Sequence, residues 1–403
     1  MALTDKLTAV ADAIRSKTGT TDPMTLDAMA AAVEGLEVGG GGGFPNGTKW
    51  TQSNLTGVTR PKCLFKNGLW VLGDATNAIG FYYSTDGKNW TQSNVTDVKV
   101  KSIHHAGGVW IISCDGSGVY RSVDGKTWSV TVSADGGYTD YTVLHGNGLW
   151  ILMNDSFGDS SRYSTDGLTW IGCDIAYGVG LNVFDYGNGL WVGGYNSNVF
   201  GLYYSEDGMN WLESNIVEGN FKTIRYINGV WIALGMTNLS YYSKDGKTWT
   251  AIDNMSIPSF PDAIITEEDT GIILMAFTNM SSELRYSVDG ITWNTSNLKH
   301  RSNDLKYANG IWVLGGSGAY ETYYSSDGTT WTKCEGINDG VNSINNANGI
   351  WMIGATDGIY YSRDGKSWTK CETSTGESRM IYYANGIWTA NIGSDMYYSV
   401  AWE

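Results

Sequence analysis

Two short signatures alternate down this 403-residue chain, and their spacing constrains the fold more than any other feature. One is Asn-Gly-[Leu/Ile/Val]-Trp, ending at Trp70, Trp150, Trp191, Trp231, Trp312, Trp351 and Trp388, with a Gly-Gly variant ending at Trp110. The other is Ser-x-Asp-Gly-x-x-Trp, running from Ser84 to Trp90 and recurring with its tryptophan at Trp128, Trp170, Trp211, Trp249, Trp293, Trp331 and Trp368. The steps from Trp70 to Trp388 average about 40 residues, the length of a four-stranded propeller blade. One step is irregular: EEDTGII, from Glu267, stands where Asn-Gly-x-Trp belongs, with Ile273 in the tryptophan's place.

Each period reads as four short strands, for example VKSIHHA, GVWIISC, GVYRSVD and KTWSVTV, rich in β-branched and aromatic residues. Asn-Gly accepts positive φ at both positions, so it closes a tight hairpin between the first two strands. Asp-Gly closes the hairpin between the third and fourth, where the carboxylate can accept turn amides and the serine can anchor the strand end. This second signature resembles the Asp-box, or BNR repeat, of sialidases and other β-propellers. The resemblance implies an all-β propeller in which Asp86, Asp124, Asp166, Asp207, Asp245, Asp289, Asp327 and Asp364 are folding elements remote from any active site.

Ring closure follows from a mismatch in numbers. Hairpins of the Asn-Gly type number nine with the degenerate one, whereas complete Ser-x-Asp-Gly turns number eight. The last unit ends YYSVAWE and lacks a fourth strand, while the chain opens its repeats with the fragment NGTKWTQSN, an echo of GKNWTQSN in the first full repeat. The expectation is a closed propeller over 46–403 of nine four-stranded blades. Its N-terminal strand completes the last blade, with Trp50 and Trp402 at the closure and no open sheet edge. Eight blades is the alternative if the irregular sixth unit is not a blade.

Residues 1–38 stand outside the repeat. Leu3, Leu7, Val10 and Ile14 follow helical spacing, and a second helix is expected from Thr25 to Gly35. A Gly-rich linker spans 39–45. Two short helices cannot bury their apolar faces alone, so they should dock on a partner or self-associate into a homo-oligomer. LTAVADAIRSKTGTTDPMTLDAMAAAVEGL is similar to the N-terminal segments of tail-associated proteins in phages and prophages of Gram-positive hosts. That resemblance implies attachment to a tail or particle component and a location in the virion tail after synthesis in the bacterial cytoplasm. The N-terminus carries no apolar run of signal-peptide type, and no segment suits membrane insertion.

A formal net charge of −15, with scattered Lys and Arg, disfavours nucleic acid and anionic membranes as partners. The five cysteines have no metal-ligand spacing and read as reduced core residues. The four histidines show no metal or triad pattern, and no phosphate-binding glycine loop occurs, so neither metal nor cofactor is expected.

Both repeated turns follow the first and third strands, so they share one face of the ring. The irregular connections share the other, where function is expected. All 18 tryptophans are used by the two signatures and the closure, whereas five of the 25 tyrosines fall outside the repeated positions: Tyr138, Tyr141, Tyr177, Tyr195 and Tyr320. With Asp155, Phe157 and Asp159 of the longest connection, and Asn196 and Asn198, they form the candidate ligand site. A ring can stack on a pyranose while the polar groups take its hydroxyls. The alternative is ordinary solvated loops. A sialidase-like glycoside hydrolase is a further reading that the Asp-box resemblance implies, through three arginines and a Tyr/Glu pair. Here TRPKC lacks the Arg-Ile-Pro form and offers only Arg60, so no catalytic residue is assigned. The reading is a non-enzymatic adhesion module, a phage tail receptor-binding protein for a cell-surface carbohydrate. A protein-binding scaffold is the third alternative.

Overall fold

The computed structural model describes residues 48–133, 141–154, 161–175, 181, 183–195, 201–235, 239–252, 263–266, 270–277, 282–318, 321–372 and 374–400. These belong to one compact unit, Pro45–Ala401. The expected helical segment 1–38, the linker 39–45 and Trp402 lie outside the described residues.

Nine antiparallel four-stranded sheets make a nine-bladed β-propeller. Blade 1 comprises Pro61–Lys66, Leu69–Asp74, Tyr82–Ser84 and Thr91–Gln92. Blades 2 to 8 begin at Lys99, Tyr141, Val183, Phe221, Ala263, Ser302 and Val341. In eight of the blades the second-strand tryptophan lies opposite a serine at or next to the end of the third strand, as with Trp70 and Ser84, Trp231 and Ser243, and Trp388 and Ser399. Ile273 takes the same place opposite Ser287 and is fully buried. The irregular sixth unit is therefore a blade, and the count is nine rather than eight.

The turns form because their residues tolerate the backbone they need. Asn67 and Gly68 have φ of 51° and 76°, and the other Asn-Gly pairs repeat these values closely, which defines two-residue hairpins of the primed type. In the second turn, Asp86 Oδ1 accepts the amides of Lys88 at 2.9 Å and Asn89 at 2.8 Å. Ser84 Oγ donates to the same oxygen at 2.9 Å and accepts the Gly87 amide at 2.9 Å. Asp124, Asp166, Asp207, Asp245, Asp289, Asp327 and Asp364 repeat the arrangement. The indoles of Trp211, Trp249, Trp293 and Trp331 fold back and donate to the turn glycine's carbonyl, each at 3.2 Å.

Blades adhere through apolar faces and through recurrent polar clasps. Asn94 accepts the Trp128 amide at 2.8 Å and donates to the Trp128 carbonyl at 2.8 Å, joining blade 1 to blade 2. Asn215 with Trp249 and Asn297 with Trp331 repeat the clasp. Where the sequence reads WIGCD or WTKCE, the backbone carbonyl of Asp174 or Glu335 accepts the next blade's tryptophan amide instead. Lysines of the second turn lie over tyrosines of the preceding blade, as Lys126 does over Tyr83 at 5.6 Å. First strands of neighbouring blades approach one another, so they form the inner ring. There Asp304 accepts the Ile344 amide at 2.7 Å, satisfying an inner-edge donor across a blade boundary.

Closure uses the same devices. Blade 9 takes Ile381–Ala384, Ile387–Ile392 and Asp395–Val400, and Thr51–Thr56 supplies its fourth strand. Thr51 pairs with Tyr398 and Gln52 with Tyr397. Trp50 is buried against Met352, Ile359, Cys371 and Trp388. Lys88 of blade 1 lies 5.5 Å over the Tyr398 ring of blade 9, completing the lysine–tyrosine series around the seam. All five cysteines are free thiols, and burial pushes that of Cys371 up to about 12.

Candidate functional site

The connections on the irregular face meet at the seam between blades 9 and 1. Here a cavity of about 560 Å³ is lined by Thr59, Arg60, Thr76 and Asn77 on one wall and by Glu377, Arg379 and Gly393 on the other. The first wall combines the segment entering blade 1 with the connection between its second and third strands. The second wall combines the entry to blade 9 with the connection between that blade's second and third strands.

One carboxylate shapes the first wall. Asp74 ends the second strand of blade 1 and is fully buried. Its Oδ2 accepts the amides of Thr59 at 2.7 Å and Arg60 at 2.6 Å, and its Oδ1 accepts those of Thr76 at 2.7 Å and Asn77 at 2.6 Å. The four residues lining this wall are thus the four whose amides converge on Asp74. Burial pushes the Asp74 carboxyl up, but the bonds from Asn77, Thr76 and Arg60 outweigh it and hold the group below the ordinary carboxylate range.

A carboxamide shapes the second wall. Asn391, also fully buried, accepts the amides of Arg379 at 2.9 Å and Met380 at 3.0 Å and donates to the Gly393 carbonyl at 3.2 Å. Arg379 pairs with Glu377 at 2.8 Å. Two buried polar side chains fix the backbone of two facing loops, an arrangement that pre-organises a site before any ligand arrives.

The residues singled out from sequence fare differently. Tyr141 is 2% exposed and packs with Val119, Val132 and Trp150 inside the blade 2–blade 3 interface. Tyr195 is 6% exposed, and its carbonyl accepts the Phe221 amide at 2.9 Å. Neither ring is presented to solvent, because each tyrosine begins or follows a strand and turns inward with it. Tyr138, Asp155, Phe157, Asp159, Tyr177, Asn196, Asn198 and Tyr320 lie outside the described residues. Of the histidines, His105 and His145 meet Trp110 and Trp150 edge-on, with centroids 4.6 and 4.7 Å apart, and His300 bonds Ser302 and the Glu321 carbonyl. Arg121 donates to the Asp166 carbonyl of the next blade at 2.9 Å. Among the described residues no three His, Cys, Asp or Glu side chains group as a metal ion would require.

Asp74 and Asn391 escaped the sequence reading. The available signal was polarity at the end of a second strand: Asp74 stands where the corresponding strands ending at Gly235, Gly316 and Ala355 carry small residues.

Fold and seam together define a β-propeller with one repetitive and one irregular face. No protein-family model matches the sequence, and no curated protein matches it. Among solved structures, the computationally designed Ika8 protein is 9% identical, with 75% of this chain and 96% of that one covered at a TM-score of 0.51. BamB from Moraxella catarrhalis, a β-propeller, is 12% identical over the same shares, also with a TM-score of 0.51. YCF48 bound to D1 peptide is 14% identical, covering 66% of this chain and 92% of its own, with a TM-score of 0.44. At such identities the likeness to Ika8 and BamB is one of fold alone.

Proposed function

We propose that this propeller is a non-enzymatic binding module that meets its partner through the irregular face, and that it serves as a phage tail receptor-binding protein for a bacterial surface glycan. The observation that supports the reading is the seam cavity, whose two walls are held by the buried Asp74 and Asn391 and whose rim offers hydroxyl, carboxamide and guanidinium groups. Such groups take sugar hydroxyls and charged sugar substituents without needing a deep apolar pocket. The tail setting rests on the resemblance of residues 1–38. A glycan array probed with the full chain tests the proposal, with Asp74→Ala as the variant that collapses the first wall. Binding that Asp74→Ala abolishes supports the site, and an empty array overturns the glycan reading. Turnover of any bound oligosaccharide would overturn the non-enzymatic part.

A protein-binding scaffold is the second reading, favoured by exposed apolar side chains on the outer strands. Ile171 and Leu212, 52% and 58% exposed, follow their tryptophans where the equivalent outer strands carry Thr91, Thr250, Thr332 and Thr369. A pull-down that Ile171→Ser and Leu212→Ser abolish would favour it.

A further inference from the structure

Two arginines line the seam cavity in a chain whose formal net charge is −15. Arg60 is exposed, and its guanidinium has no hydrogen-bond or ion-pair partner among the described residues, although its backbone is fixed by Asp74. Arg379 shares the opposite wall with Glu377. Two guanidinium groups therefore face one space whose lining holds one carboxylate, that of Glu377, while the Asp74 carboxylate behind the first wall is buried and already takes four backbone amides. Thr59 and Thr76, whose hydroxyls bond each other at 2.5 Å, and the Asn77 side chain lie beside them. A planar guanidinium with five donors suits an oxyanion.

We propose that this cavity is an anion site spanning the ring seam, in which Arg60 and Arg379 together hold one carboxylate or phosphate substituent, and that its occupancy staples blade 9 to blade 1. The source of the anion, an acidic surface glycan, rests on the reading above; the site does not. Because Arg60 lies four residues beyond the end of the closing strand Thr51–Thr56, a ligand bridging the walls reinforces that strand's ladder with Asp395–Val400.

The test uses the full chain with two probes, glucuronate and inorganic phosphate, read by calorimetry and by hydrogen exchange at the amides of Thr51–Thr56. At least one probe should bind and slow that exchange. Arg60→Ala and Arg379→Ala should each weaken binding about tenfold or more, whereas Arg363→Ala, in a turn on the opposite face, should leave it unchanged. Arg60→Lys, which keeps the charge and loses the fork, should fall between. Preference for glucuronate points to uronic acid residues, and preference for phosphate points to phosphodiesters. If neither probe binds, if binding survives both alanine variants, or if bound probe leaves the closing strand's exchange unchanged, the proposal is overturned. Array hits on neutral glycans that persist in Arg60→Ala, together with no binding of either probe, would remove the anion site and leave the glycan reading standing. Anion binding beside an empty array would do the reverse.

Discussion

Asn54 holds both polar groups of the Trp90 backbone: its carboxamide oxygen accepts the Trp90 amide at 2.7 Å, and its nitrogen donates to the Trp90 carbonyl at 2.9 Å. The residue belongs to the closing strand of blade 9 and its partner to blade 1, so this pair is the seam's copy of the clasp that Asn94, Asn215 and Asn297 make elsewhere.

Asn54→Ala should lower stability by about 1–2 kcal/mol, the loss of two hydrogen bonds at a part-buried position. Asn54→Asp, which keeps one acceptor and loses the donor, should cost less than alanine at neutral pH. Urea unfolding followed by tryptophan fluorescence gives both values.

Trp50→Ala should cost about 3–5 kcal/mol, as expected when a large core side chain is truncated. The damage should appear first at the seam, with faster hydrogen exchange in Asp395–Val400 before the remaining blades respond. Uniform loss across all blades would contradict this order.

Acid should weaken the ring in a narrow window. Burial raises the Asp86 carboxyl, and bonds from Asn89, Lys88 and Ser84 more than offset it, leaving a pKa of about 2. Asp207 and Asp327 also stand at about 2, and the other five turn aspartates are lowered. A carboxylate depressed in the folded state contributes stability above its unfolded value of about 3.9, and this is lost as pH falls through the folded value. Unfolding midpoints should stay level from neutral pH to about 5 and then drop toward pH 2. Asp327→Asn should be less stable at neutral pH and show a shallower decline.

Two glycines of like backbone should respond differently to alanine. Gly148 has φ of 75° with open space around its added carbon, so Gly148→Ala should cost about 1 kcal/mol of backbone strain. Gly125 has φ of 69°, and a Cβ there would lie 2.5 Å from Leu69 Cδ2 and 3.2 Å from the Trp110 indole nitrogen. Gly125→Ala adds overpacking to the same strain and should cost about 2–4 kcal/mol. Equal costs would show that the turn does not press on its neighbours as described.

The architecture was legible because its causes are local and repeated. Asn67 and Gly68 announce their turn by their own φ preferences, and the fragment around Trp50 announces closure because only one unit lacks a fourth strand. The inter-blade clasp is half visible in the sequence: TQSN recurs as an echo, yet the asparagine's role depends on the Trp90 backbone of another blade. The site was far less legible. Asp74 draws together Thr59, Arg60, Thr76 and Asn77 through backbone amides, which carry no residue signature. Tyr141 and Tyr195 misled because an aromatic beside an irregular connection looks solvent-facing until strand register fixes its direction.

Sealing the ring with Thr51–Thr56 sets an order on biosynthesis. Gln52 bonds Asp395, 343 residues later in the chain, so the closing strand must wait until the rest of the propeller has been synthesised before it finds its ladder. Until then the Asp395–Val400 edge of the nascent blade 9 is bare, an interval in which neighbouring polysomal chains could exchange strands. The threonine, glutamine and serine of TQSN, rather than an apolar run, keep that waiting segment soluble through translation.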